Sequence, residues 1–115
     1  MADDVVYIDF EDGSKRVMNN TKLYVKLLTM FKTDTSLNNL DAALTSGDME
    51  KARSEAHTLK GLAANLSLME LFKQCLELET QIKSGSVAVD QMAIIKNVFT
   101  RTLTEVEKVI AQNGN

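Results

Sequence analysis

Proline is absent from these 115 residues, glycine occurs five times, and histidine and cysteine once each. Without proline to punctuate strands and turns, and with alanine, leucine, lysine, glutamate and methionine abundant, intrinsic propensity leans towards helix almost throughout. The glycines, Gly13, Gly47, Gly61, Gly85 and Gly114, are scattered singly. That excludes a glycine-rich phosphate loop and leaves no evident nucleotide site. The lone Cys75 rules out an internal disulfide and falls on the apolar face of a predicted helix, where it reads as core. One histidine and one cysteine are too few for a zinc site, and no serine stands in a nucleophile elbow. No metal site and no bound cofactor are therefore expected.

Two further absences concern partners. The net charge is −3 and no run of Lys and Arg supplies the basic stripe that displaces counterions from phosphates, so nucleic acid is excluded. No stretch approaches the roughly eighteen apolar residues of a membrane span. Asp3 and Asp4 stand ahead of Val5 where a signal peptide would carry basic residues. The expectation is a cytoplasmic chain without a membrane partner. Its 44% apolar and 25% charged residues suit a globular chain, and its length suits a single core. One domain over 1–115 follows, with 1–6 as a loose lead-in.

What is present is helical periodicity. Val5, Val6, Tyr7, Ile8 and Phe10 predict an extended lead-in packed across a bundle and running into a short helix from about Glu11 to Met18, ended by Asn19 and Asn20. Thr21 can cap a helix with Leu23, Tyr24, Leu27, Leu28 and Phe31 inward. After a polar break at Lys32 to Asp34, Thr35 or Ser36 restarts a helix with Leu37, Leu40 and Leu44 inward. The pattern allows either one kinked helix over 21–46 or two. Gly47 stops it, and Asp48 is placed to cap a helix from about Met49 to Asn65. Ser67-Leu68-Met69-Glu70 matches a capping box, flanked by Leu66 and Leu71 at staple positions. The helix it opens has Leu71, Cys75, Leu78 and Ile82 inward, closes at Ser84-Gly85-Ser86, and should fold back antiparallel across so short a turn. A last helix from about Val89 to Gln112 carries Met92, Ile95, Phe99, Thr102, Val106 and Val109. Together these predict an all-α, up-and-down antiparallel four-helix bundle with a short N-terminal helix over one end.

His57 lies in the middle of the Met49–Asn65 helix. Ala52, Ala56, Leu59, Ala63 and Leu66 recur at steps of four and three and form its buried stripe, which turns His57 outward together with Arg53, Lys60, Gly61 and Ala64. A surface histidine is by itself an ordinary feature. Its neighbours are not ordinary. Lys60, one turn on, can favour a neutral imidazole and can pair with an anion on the ring. Gly61 costs a mid-helix position about 1 kcal/mol relative to alanine, which suggests a need for space. Bare backbone at Gly61 and Ala64 would let another protein's active site reach a nucleophilic ring. Glu79, on the next antiparallel helix, could fix the tautomer that leaves Nε2 as the nucleophile.

His57-Thr58-Leu59-Lys60-Gly61, followed by Ala63-Ala64-Asn65-Leu66 and then Leu78-Glu79, resembles the histidine-containing phosphotransfer (HPt) domain of multistep bacterial and fungal phosphorelays. Ile8-Asp9, Asn19-Asn20, Leu23-Tyr24, Leu27-Leu28, Phe31 and Gly47-Asp48 fall where that family's pattern expects them, so the resemblance spans roughly residues 7 to 110. It implies that Nε2 of His57 is the phosphoacceptor, taking a phosphoryl group from the aspartyl phosphate of one receiver domain and passing it to another. Lys60 would steady the phosphate, Gly61 would give clearance, and Glu79 would accept from Nδ1. The implied partners are response-regulator receiver domains and a sensor or hybrid histidine kinase, with the divalent metal on the receiver. On this reading the chain is a monomeric phosphoryl carrier and not a self-sufficient enzyme. Two positions depart from the family: Ser67 stands where a glycine is common, and Leu62 where a small residue is.

Two other readings compete. The same bundle could bind receivers without transfer, as a non-catalytic interaction module. A histidine-kinase dimerisation segment would want an acidic residue directly after the histidine, where this chain has Thr58.

Overall fold

The computed structural model describes residues 5–113, in which six helices and no strands occur: α1 (Phe10–Arg16), α2 (Thr21–Phe31), α3 (Ser36–Ser46), α4 (Met49–Asn65), α5 (Met69–Ser84) and α6 (Gln91–Asn113). Residues 1–4 of the expected loose lead-in lie outside the described residues. No helix among those described is long and apolar enough to cross a membrane.

The histidine-bearing α4 has the boundaries its signals predict. Asp48 accepts from the Lys51 amide, and Gly47 ends α3 at φ 80°, a left-handed conformation that glycine takes without a Cβ penalty. Its stripe of Ala52, Ala56, Leu59 and Ala63 is fully buried, and Leu66 nearly so. Three alanines on that stripe let neighbouring backbones come close. Accordingly α4 packs most extensively on α5 and then on α3, while α5 also meets α6, and α6 returns to α2. Leu71, Cys75 and Leu78 of α5 and Ile95, Val98 and Val106 of α6 complete the core. Phe31 of α2 meets Phe99 of α6 with ring centroids 5.2 Å apart.

Residues 21–46 form two helices. Asp34 makes the break, since its carboxylate accepts from the Ser36 amide and hydroxyl while Thr35 gives no side-chain cap. Several local expectations are corrected. Asn20, and not Thr21, caps α2, accepting from the Leu23 amide. The first helix ends at Arg16, earlier than Met18, because Met18 and Asn19 adopt positive φ. Leu23 faces out at 39% exposure and Val25 takes the core position. Val89 is fully exposed and α6 starts at Gln91, whose side chain bonds Gln74 and Gln81 of α5.

The largest correction is at the turn between α4 and α5, where the capping box does not form. Ser67 adopts φ 57° and its hydroxyl donates to Asp12 of α1 at 2.6 Å. The Glu70 carboxylate accepts from Gln74 instead of reaching back. The orphan amides at the start of α5 are satisfied from elsewhere: Met69 donates to the Tyr7 carbonyl and Glu70 to that of Val6, and the Asp9 amide donates to the Ser67 carbonyl. The lead-in is therefore tied down from Val6 onward. Gly13 has a packing reason, because a Cβ there would overlap the Tyr24 ring, whose hydroxyl donates to the Leu66 carbonyl at 2.6 Å.

Candidate functional site

The short turn folds α5 back along α4 and brings Glu79 to His57. Nδ1 of His57 lies 3.2 Å from Oε2 of Glu79, and Nζ of Lys60 donates to Oε1 at 2.6 Å. Burial differs sharply within this trio: the His57 side chain is 68% exposed, that of Lys60 20% and that of Glu79 7%. The Lys60 hydrogen bond, helped by that of His57, holds the Glu79 carboxyl below the usual carboxylate range against the opposing effect of burial. An ionised carboxylate only accepts, so the proton of a neutral imidazole must sit on Nδ1. Nε2 is then the unprotonated nitrogen of an exposed ring.

Lys60 also has a partner within the site, since its ammonium pairs with the Glu79 carboxylate. The antiparallel register, which puts residue 79 within reach of both 57 and 60, could have signalled it. Arg53, His57, Lys60 and Glu79 line a shallow hollow together with Glu50, Ser54 and Lys83. The last three were not singled out from the sequence. Ser54 and Glu50 lie one and two turns before His57, and Lys83 one turn after Glu79, so helical spacing carried the signal.

Gly61 and Ala64 do not line this hollow. A Cβ on Gly61 would meet no atom within 4 Å, so nothing inside the chain requires a glycine there. Ala64 lines a second hollow with Asp9, Asp12, Arg16, Ala63, Met69 and Phe72, between α1 and α5. Leu62 is half-buried and borders a mostly apolar hollow with Leu27, Met30, Phe31, Leu66 and the carboxylate-bearing Asp34 on the α2 side. Cys75 is buried and its thiol is pushed up to about 12, chiefly by burial, which makes it inert. Among the described residues no group of three or more His, Cys, Asp and Glu is arranged to hold a metal.

The family model for the Hpt domain matches residues 26–112, a span that contains His57, Lys60, Gly61 and Glu79. The chain belongs to the Hpt domain family. A histidine phosphotransfer role in a phosphorelay comes with that membership, the role of a phosphoryl-carrying module. The Hpt fold is evident in space too. The crystal structure of the HPT domain from the Hpt sensor hybrid histidine kinase of Shewanella superposes with a TM-score of 0.77, covering 92% of this chain and 95% of that one at 17% identity. No curated protein matches the sequence significantly. The matched span begins after α1, which is tied to the later helices by the bond of Ser67 to Asp12, while the lead-in is tied by those of α5 to Val6 and Tyr7.

Proposed function

We propose that this Hpt domain carries a phosphoryl group on Nε2 of His57, between the aspartates of response-regulator receiver domains in a relay fed by a sensor or hybrid histidine kinase. The observation that carries this reading is the ionised Glu79 carboxylate on Nδ1 of an exposed ring. In the transfer, the Nε2 lone pair attacks phosphorus, the P–N bond forms, and the P–O bond to the aspartate breaks with its electron pair leaving on the carboxylate. The Nδ1 proton stays where it is. The ring thereby becomes cationic, and Glu79 faces that charge as it develops. Lys60 steadies the phosphoryl group and also keeps Glu79 ionised. The receiver brings its own carboxylates and divalent metal to the transferring group.

The chain supplies a nucleophile on a rigid support and is not an enzyme by itself. We read that support as one cytoplasmic, monomeric domain, an up-and-down four-helix bundle in which α2 and α3 together make one interrupted wall, α4, α5 and α6 the others, and α1 covers one end. Receivers would dock over Arg53, Lys60, Gly61 and Ala64 around the ring.

Incubation with a phosphorylated receiver domain tests this. Acid-labile, base-stable phosphate should appear on the wild type and not on His57→Gln, with receiver binding retained by the variant. A wild type that binds several receivers and takes phosphate from none would favour the non-catalytic interaction module.

A further inference from the structure

The hollow between α1 and α5 lies in line with His57. Ala64, on its floor, is seven residues after His57 on α4, and Phe72, on its wall, is seven residues before Glu79 on α5. Seven residues are two helical turns, about 10 Å. Because α4 and α5 run antiparallel, both steps lead from the His57–Glu79 pair to the same place, and Gly61 leaves bare backbone between. A weak, transient interface of about 600 Å² a side is a disc of about 14 Å radius. A partner centred on the ring therefore covers this hollow as well.

The lining is of two kinds. Ala63, Ala64, Met69 and Phe72 are apolar, while Asp9, Asp12 and Arg16 stand on the α1 side. Asp12 is satisfied within the chain, since one of its oxygens accepts from both the Arg16 guanidinium and the Ser67 hydroxyl. Asp9 has no such counter-charge. One of its oxygens accepts from the Asp12 amide, but it forms no ion pair among the described residues and it is half-buried.

We propose that this hollow is a specificity pocket for the receiver, and that it takes a lysine or arginine side chain of that partner. The inference rests on the reading that His57 exchanges phosphate with receivers. A basic side chain fits both parts of the lining: its methylene stem packs on Ala64 and Phe72, and its head meets the Asp9 carboxylate. The volume of about 300 Å³ admits one long side chain. An apolar or acidic occupant would bury Asp9 without a counter-charge, which is costly. Two turns from the reacting nitrogen, the pocket selects the partner and leaves the transfer to His57, Lys60 and Glu79.

Receiver affinity tests this, measured by calorimetry with a receiver that exchanges phosphate with the wild type. Asp9→Asn keeps the cap of α1, because asparagine and aspartate cap about equally well, and removes only the charge. It should weaken binding by about three- to tenfold, between the range of an exposed charge pair and that of a buried one. The difference from wild type should shrink as ionic strength rises. Ala64→Met fills the pocket from a helical position and should weaken binding at least as much. Glu11→Gln removes the same charge from an exposed site on α1 outside the hollow and serves as control. An Asp9→Asn variant that binds as tightly as Glu11→Gln overturns the pocket, whatever Ala64→Met does, and leaves the carrier reading intact. A wild type that takes phosphate from none of several receivers overturns the carrier reading and the pocket with it.

Discussion

Gly61 separates a residue kept for the fold from one kept for a partner, because the two demands predict opposite effects of one methyl group. It sits inside the 17-residue α4, without the positive φ that Gly47 and Gly85 require, and a Cβ would meet nothing within 4 Å. No packing term therefore opposes substitution. Gly61→Ala should then recover the whole helix-propensity difference, about 0.8–1 kcal/mol. For a domain of this size that raises the melting temperature by about 3–4 °C. Gly13→Ala, which forces a methyl into the Tyr24 ring, should do the opposite. Phosphotransfer should respond in reverse. If a receiver packs on the bare backbone at Gly61, Gly61→Leu must displace it, at about 1–3 kcal/mol if the cost resembles overpacking of a core. Transfer should slow by about five- to a hundredfold while the fold stays at least as stable as wild type. Calorimetry and a time course of phosphate uptake read the two arms. A less stable Gly61→Ala would refute the claim of open space, and a Gly61→Leu that accepts phosphate at the wild-type rate would refute its use for docking.

Glu79→Gln keeps one acceptor oxygen but removes the charge. It should cost about 1.5 kcal/mol of stability, the lower end for a charge-assisted hydrogen bond because Lys60 is partly solvated. It should also lower the Nδ1–H tautomer fraction of His57 severalfold, as read from ring 15N shifts in the neutral form; an unchanged fraction would show that Glu79 does not set the tautomer. Ser67→Ala retains the strained φ and loses the bond to Asp12, so urea unfolding should show a loss of about 1–2 kcal/mol, whereas a neutral result would mean that α1 is not anchored there. Asp12 is held below the carboxylate range by the Ser67 hydroxyl and Arg16, and Glu79 by Lys60. A depressed folded-state value adds stability above the ordinary values of 3.8 and 4.5 and forfeits it as pH falls through the folded ones, so acid should destabilise the chain below about pH 4.5, and less so in Glu79→Gln. At the alkaline end, burial pushes the Tyr24 hydroxyl and the Cys75 thiol up to about 12. Both are protonated in the fold and free to ionise when unfolded, so stability should decline from about pH 9 upward. Unfolding monitored by circular dichroism across pH would show both slopes, or refute them by a flat profile.

The sequence by itself determined most of the helices and the inward face of α4. Asp48, Gly47 and Gly85 act through hydrogen bonds and dihedral preferences a few residues long, and the alanine stripe of α4 follows from a rotation of about 100° per residue. The outward direction of His57 and the approach of Glu79 were legible for the same reason, since an antiparallel hairpin with a short turn leaves little freedom of register. What only the tertiary structure decided lies where residues distant in sequence compete for one group. Ser67 reads locally as a helix cap, yet Asp12, 55 residues away, takes its hydroxyl, while the carbonyls of Val6 and Tyr7 take the amides it would have served. Lys60 reads locally as a cation beside the ring, and only the folded chain adds its pairing with Glu79 from the next helix. No local pattern records such a competition, because its outcome depends on which partner the folded chain brings within about 3 Å.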